Sequence, residues 1–165
     1  LARIAGLPYE ELVTTEVITP LGLGSTYAPI TAEDLREPAR RGHTATGRTT
    51  AAWTMNGYAP AGCIRSTASD IATFLTATRD GTAPGADAAG EVLLEQDEHT
   101  GLSINWIHSQ LSDDSAVIWH NGVTGGYAAF AGWDTASGRA LVLLSDTATA
   151  VEGIAFEILT GEIAL

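Results

Sequence analysis

Trp119-His120-Asn121-Gly122-Val123-Thr124-Gly125-Gly126-Tyr127 is the stretch on which the fold of this 165-residue chain turns. Ala116 to His120 reads as a strand, the glycines as a turn, and Tyr127 to Trp133 as the returning strand. Asp134-Thr135-Ala136-Ser137-Gly138 is a second turn signal, followed by the apolar run Arg139 to Ser145, expected as a strand buried on both faces. Leu102 to Ile107 alternates as a strand does, and 149–159 reads as a closing helix. Three or four antiparallel strands with a terminal helix packed on one face is an α+β arrangement.

Upstream the signals change. Leu1, Ile4 and Ala5 have helical spacing, ended by Gly6 and Pro8. A second helix is expected from about Pro8 to Thr15, with Glu10 and Glu11 at the positive end of its dipole. Thr31 to Glu37 opens like a short capped helix, 40–62 reads as loop anchored by Trp53 and Tyr58, and 80–90 as loop. Ser66-Thr67-Ala68-Ser69-Asp70 before Ile71, Ala72, Phe74 and Leu75 is the clearest helix start in the chain. Residues 91–96 are expected as a short helix. The chain thus reads as one partial domain over 1–165, with helices and loops in 1–82 and a sheet with a terminal helix in 100–165.

Composition narrows the function classes. At 45% hydrophobic and 17% charged the chain is an ordinary globular one, long enough to bury a core. Its net charge is −12, and its basic residues are all Arg; there is no Lys. Residues 1–82 hold 8 acids and 7 Arg, residues 83–165 hold 12 acids and 1 Arg. Such a field repels phosphate backbones, so no nucleic-acid partner is expected. The absence of Lys beside abundant Ala, Thr and Gly points to a high-GC bacterial coding bias, or a salt-adapted one. One cysteine, Cys63, excludes an internal disulfide. No stretch reaches the roughly 18 apolar residues of a membrane span, and the start at Leu1 reads as the interior of a longer gene product.

Four segments, in order, resemble the C-terminal portion of the serine β-lactamase and penicillin-binding-protein superfamily, which includes class C β-lactamases, D-alanyl-D-alanine carboxypeptidases and esterase relatives. They are Gly6-x-x-Tyr9 through Ile18-Thr19-Pro20-Leu21-Gly22-Leu23-Gly24-Ser25-Thr26; Ala61-Gly62-Cys63-Ile64-Arg65-Ser66-Thr67-Ala68-Ser69-Asp70-Ile71-Ala72-Thr73-Phe74; Gly101 to Trp106; and His120 to Tyr127, similar to "H/K-T-G-x-T-G-G-F". The resemblance implies a partial β-lactamase/transpeptidase-like fold and acyl transfer. It implies that the strand from His120 to Val123 lines a cleft. His120, a residue that some members carry in place of the family's Lys, would be catalytic, helping to hold the substrate carboxylate or the proton network. Asn121, Gly122 and Val123 would bind substrate, Val123 through an oxyanion-stabilising N–H and Gly122 by leaving room.

Two signatures of that superfamily are missing. S-x-x-K cannot be written without Lys, and no tyrosine stands in Y-x-N. Ser103-Ile104-Asn105 spells S-x-N, but in the place of a strand. Taken alone, His-Asn-Gly-x-x-Gly-Gly is also simply a strand and a turn. His43, His99, His108 and Cys63 lack metal-ligand spacing, no phosphate loop or G-x-S-x-G elbow is present, and no cofactor or metal is expected. The four Trp read as core or rim aromatics, and Glu95, Asp97 and Glu98 as a solvated face.

Two functions are therefore open. In one, the chain is the C-terminal portion of a serine hydrolase of β-lactams, D-Ala-D-Ala peptides or esters, inactive alone. Its partners are a small-molecule or peptidoglycan-like acyl substrate and an N-terminal segment or second chain carrying the nucleophile. In the other, it is a non-catalytic binding or assembly module derived from that fold. Homo-oligomerisation is open under both, and the resemblance favours an extracytoplasmic, secreted bacterial setting.

Overall fold

The structure, a computed structural model, describes residues 1–36 and 41–164. Six strands form one antiparallel sheet in which each pairs with the next: β1 Leu94–Glu95, β2 Thr100–Leu102, β3 Ile107–Ser112, β4 Ser115–Thr124, β5 Tyr127–Asp134 and β6 Ala140–Ser145. The helices are α1 Ala2–Ala5, α2 Tyr9–Val13, α3 Ala68–Arg79, α4 Asp87–Gly90 and α5 Glu152–Thr160, with π-type turns at Thr14–Ile18 prolonging α2. This is an α+β fold.

Both faces of the sheet are covered, where the sequence led us to expect a helix on one. Alternation along the strands sends Ile118, Ala131, Trp133 and Val142 to one side, where they meet Leu75 of α3 and Ala89 of α4. Val117, Trp119, Phe130, Leu141 and Leu143 go to the other and meet Ala155, Phe156 and Leu159 of α5. Trp119 stacks on Phe130, and Phe156 meets both edge-on. On the α3 side Trp106 packs edge-on against Trp133. The apolar run in β6 is explained by this double cover, but β6 is the last strand, and its Leu144 stays exposed.

The Thr67 side chain caps α3 by accepting from Asp70 N–H at 3.2 Å. The Asp70 carboxylate reaches back across the chain, accepting from Ser25 N–H (2.8 Å) and Thr26 Oγ1 (2.7 Å), while Tyr27 and Arg65 form a β-bridge. Two of the four signature segments are thus one structural unit. Thr31 caps a single 3-10 turn, Ala32–Asp34, rather than a longer helix. Glu37 and Arg40, which end the expected helix and open the expected loop, lie outside the described residues.

Two expectations fail. Residues 91–96 are not helical: Leu94 and Glu95 pair with Leu102 and Gly101, and Gly101 lets Val92 close in where a Cβ would sit 2.8 Å from it. Leu102 to Ile107 is not one strand. Asn105 adopts φ 62°, and Ser103 N–H bonds Trp106 O, so the chain reverses there. Leu102 and Ile107 face each other across that turn, and a hairpin had imitated strand alternation.

Candidate active site

The β4–β5 hairpin holds the motif. β4 ends at Thr124 and β5 begins at Tyr127, so Gly125-Gly126 make the whole connection. A Cβ on Gly125 would stand 2.3 Å from the Trp53 ring; Gly126 has φ 100° and would strike the Gly42 backbone at 2.7 Å. Trp53 is therefore the anchor expected of the 40–62 loop; Tyr58, 78% exposed, is not. Thr50 Oγ1 donates to Gly125 O and His43 N–H to Gly126 O, both at 3.0 Å. His43 Nδ1 also lies 3.0 Å from Asp146 O, which makes this histidine a staple between loop, turn and the end of β6.

The strand before that turn is open. β3 starts at Ile107, opposite Trp119, so among the described residues no strand lies beside 120–124 on the β3 side. Bonded and non-bonded pairs alternate in an antiparallel ladder. Thr135 N–H donates to Ala116 O, which fixes the phase. Counting along the unbroken register, His120, Gly122 and Thr124 bond with β5, while Asn121 and Val123 turn their N–H and C=O groups to the free edge. The face of β4 that Ile118 shares with α3 is uncovered further on. The His120 side chain is exposed there and makes no side-chain hydrogen bond to a described residue, and a Cβ added to Gly122 would meet nothing within 4 Å. The Asn121 side chain points to the opposite face, where its amide donates to the Glu152 carboxylate at the start of α5.

The motif residues thus divide. His120, Gly122 and the Val123 N–H share one open corner, whereas the Asn121 amide is engaged beneath it. Two neighbours escaped sequence reading. Arg65 stacks on Tyr127 at 4.9 Å and reaches the Trp53 carbonyl, placing a cation beside the Thr124 end of the strand. Glu152 places an anion at the Asn121 end. Arg65 lies inside a signature segment whose pattern assigns it no role; Glu152 has no local signal, because only the fold brings it to β4.

The remaining candidates have structural partners. Ser103 Oγ donates to Ala89 O (2.9 Å), and His108 Nε2 lies 3.0 Å from the same carbonyl, tying α4 to the β2–β3 turn. His108 Nε2 also lies 3.1 Å from Ser103 Oγ, so serine, histidine and the Ala89 carbonyl form one closed cluster. Cys63 is buried with Ala28 and Ala59, and burial pushes its thiol pKa up. Among the described residues no three His, Cys, Asp or Glu side chains gather as a metal site, and no helix is long and apolar enough to cross a membrane.

A strand edge with inward-facing glycine, a free N–H and an adjacent histidine is equipped to receive a carbonyl. The β-lactamase family model matches residues 1–157, and the chain belongs to that family. Its fold is similar to a D-stereospecific amidohydrolase from Streptomyces sp. (TM-score 0.79, 20% identity, 99% of this chain and 51% of that one). It is similar to a class C β-lactamase (0.78, 16%, 99% and 54%). A D-amino acid amidase from Ochrobactrum anthropi SV3 also matches (0.70, 20%, 98% and 55%). The chain spans about half the length of these structures. No curated protein sequence matches it.

Proposed function

We propose that this chain supplies the sheet side of an acyl-transfer site in a serine hydrolase of β-lactams, D-Ala-D-Ala peptides or small esters. The observation that carries the reading is the free edge of β4, with the Val123 N–H directed outward next to an unobstructed Gly122. A substrate carbonyl laid on that edge would have its oxygen at the Val123 N–H. As a serine oxygen bonds to the carbonyl carbon, the carbonyl electrons move onto that oxygen, and a fixed donor stabilises the charge as it grows. The exposed His120 stands next along the strand, free to accept a proton or pass one to the leaving group. Collapse of the tetrahedral species expels the protonated leaving group and leaves an acyl-serine, which water hydrolyses.

The nucleophile and its base come from outside this chain, which contains no Lys and no S-x-x-K. The same fact is what favours the second reading, a module retained for binding or assembly alone. Acylation separates the two. The complete gene product is treated with a fluorescent penicillin and with a chromogenic ester, and labelled protein is mapped. Serine acylation that falls roughly a hundredfold in His120→Ala, the scale of one acid–base group, supports the hydrolase. Acylation at an unchanged rate removes His120 from the chemistry. Absence of acylation by any ester or lactam leaves the module.

A further inference from the structure

The two ends of the open edge carry opposite charges. At the Thr124 end stands Arg65, stacked on Tyr127. At the Asn121 end stands Glu152, half-buried, one carboxylate oxygen accepting from the Asn121 amide. The Asn121 side chain holds Glu152 beneath the strand, two residues before the one that carries the oxyanion donor, a rise of about 7 Å along the chain. No Arg or His is paired with Glu152 among the described residues, and the second half of the chain has one Arg against 12 acids.

We propose that Glu152 makes this site discriminate against leaving groups that carry a carboxylate, in favour of uncharged amide and ester leaving groups. The inference rests on the acyl-transfer reading above. His120, which passes a proton to the departing atom, precedes Val123 on the strand, so the leaving portion of a bound substrate lies toward Asn121 and the acyl portion toward Thr124 and Arg65. A carboxylate on the leaving portion would enter at the Asn121 end of the edge, with the Glu152 carboxylate beneath the strand there and Asn121 already engaged as its donor. Like charges on either side of one strand in a partly desolvated cleft repel measurably, and the repulsion is screened by salt. An uncharged carboxamide of the same shape meets no such repulsion.

The test uses the complete gene product and two esters with one acyl group, one releasing 3-hydroxybenzoate and the other 3-hydroxybenzamide. Each acylation rate is divided by the rate of hydroxide hydrolysis, which removes the intrinsic difference between the leaving groups. The expected result is a preference of about tenfold in kcat/KM for the carboxamide ester. Glu152→Gln, which keeps the Asn121 bond, should narrow that preference about fivefold. Raising the salt to 0.5 M should narrow it in the natural protein and leave it unmoved in the variant. Equal rates for the two esters, or an unchanged preference in Glu152→Gln, overturns the role of Glu152 while leaving the hydrolase standing. Acylation by neither ester overturns the hydrolase reading and this inference with it.

Discussion

Two glycines of one motif do different work, and single substitutions separate them. Gly122 has empty space where its Cβ would lie and no positive φ. Gly122→Ala should therefore fold with stability within about 0.5 kcal/mol of the natural chain, as open surface sites do. If the strand edge receives substrate, the same methyl group obstructs it, and acylation of the complete protein should fall at least about tenfold. Gly126→Ala should do the reverse of neutral. It forces a side chain into φ 100° against the Gly42 backbone and should cost about 2–4 kcal/mol in denaturant unfolding. The sequence made both glycines look alike; the turn geometry tells them apart. Asp134 belongs to this scale too. Burial opposes its charge, but bonds from Ser137, Ala136 and Ser115 outweigh that and hold its carboxyl below the ordinary range. A carboxyl depressed in the folded state stabilises above its unfolded value, about 3.9, and that contribution is lost as pH falls through the folded value. Between pH 5 and pH 2 the natural chain should lose more unfolding free energy than Asp134→Asn, and equal losses would remove Asp134 from the acid response.

At the scale of elements, the hairpin β4–β5 and helices α3 and α5 were legible because each carries a local signal. α3 has a Thr cap and an apolar face, β5 alternates, and β6 is a continuous apolar run. What escaped reading was held by pairing instead. β3 is largely polar, Ile107-His108-Ser109-Gln110-Leu111-Ser112, and exists because β4 lies beside it. β1 is two residues long and owes its place to β2. The candidate site was legible in the same measure. His120 to Val123 could be named from the motif, but the free edge depends on where β3 stops, and Glu152 reaches Asn121 only through the docking of α5. That docking rests on Phe130, Ala155 and Leu159, all at most 2% exposed. Leu159→Ala should cost about 2–4 kcal/mol in unfolding, the usual toll of deleting a buried leucine. Because α5 carries Glu152, it should also weaken leaving-group discrimination in the complete protein. Full discrimination with the helix destabilised would mean that another group sets the charge at that end of β4.

For the molecule as a whole, the dominant electrostatic fact is self-repulsion. Twenty acids face 8 Arg, and the imbalance falls almost wholly in the half that builds the sheet. Among the described residues the ion pair of Arg79 with Asp80 joins chain neighbours at the surface and does little to relieve it. Compacting like charges raises their mutual energy relative to the expanded chain, and counter-ions screen that cost over a distance that shortens from about 30 Å at 0.01 M to about 8 Å at 0.15 M. The native state should therefore gain from added salt. Raising sodium chloride from 0.01 M to 0.15 M should lift the thermal midpoint by several degrees, with most of the rise complete by 0.15 M. Chloride and sulfate at equal ionic strength separate screening from a strengthening of apolar burial, since screening follows ionic strength whereas excluded sulfate adds a further rise. A midpoint indifferent to chloride over that range would mean that the acids are already spaced beyond one another's reach. The charge asymmetry would then bear on what approaches the open edge of β4 and not on how firmly the sheet behind it is held.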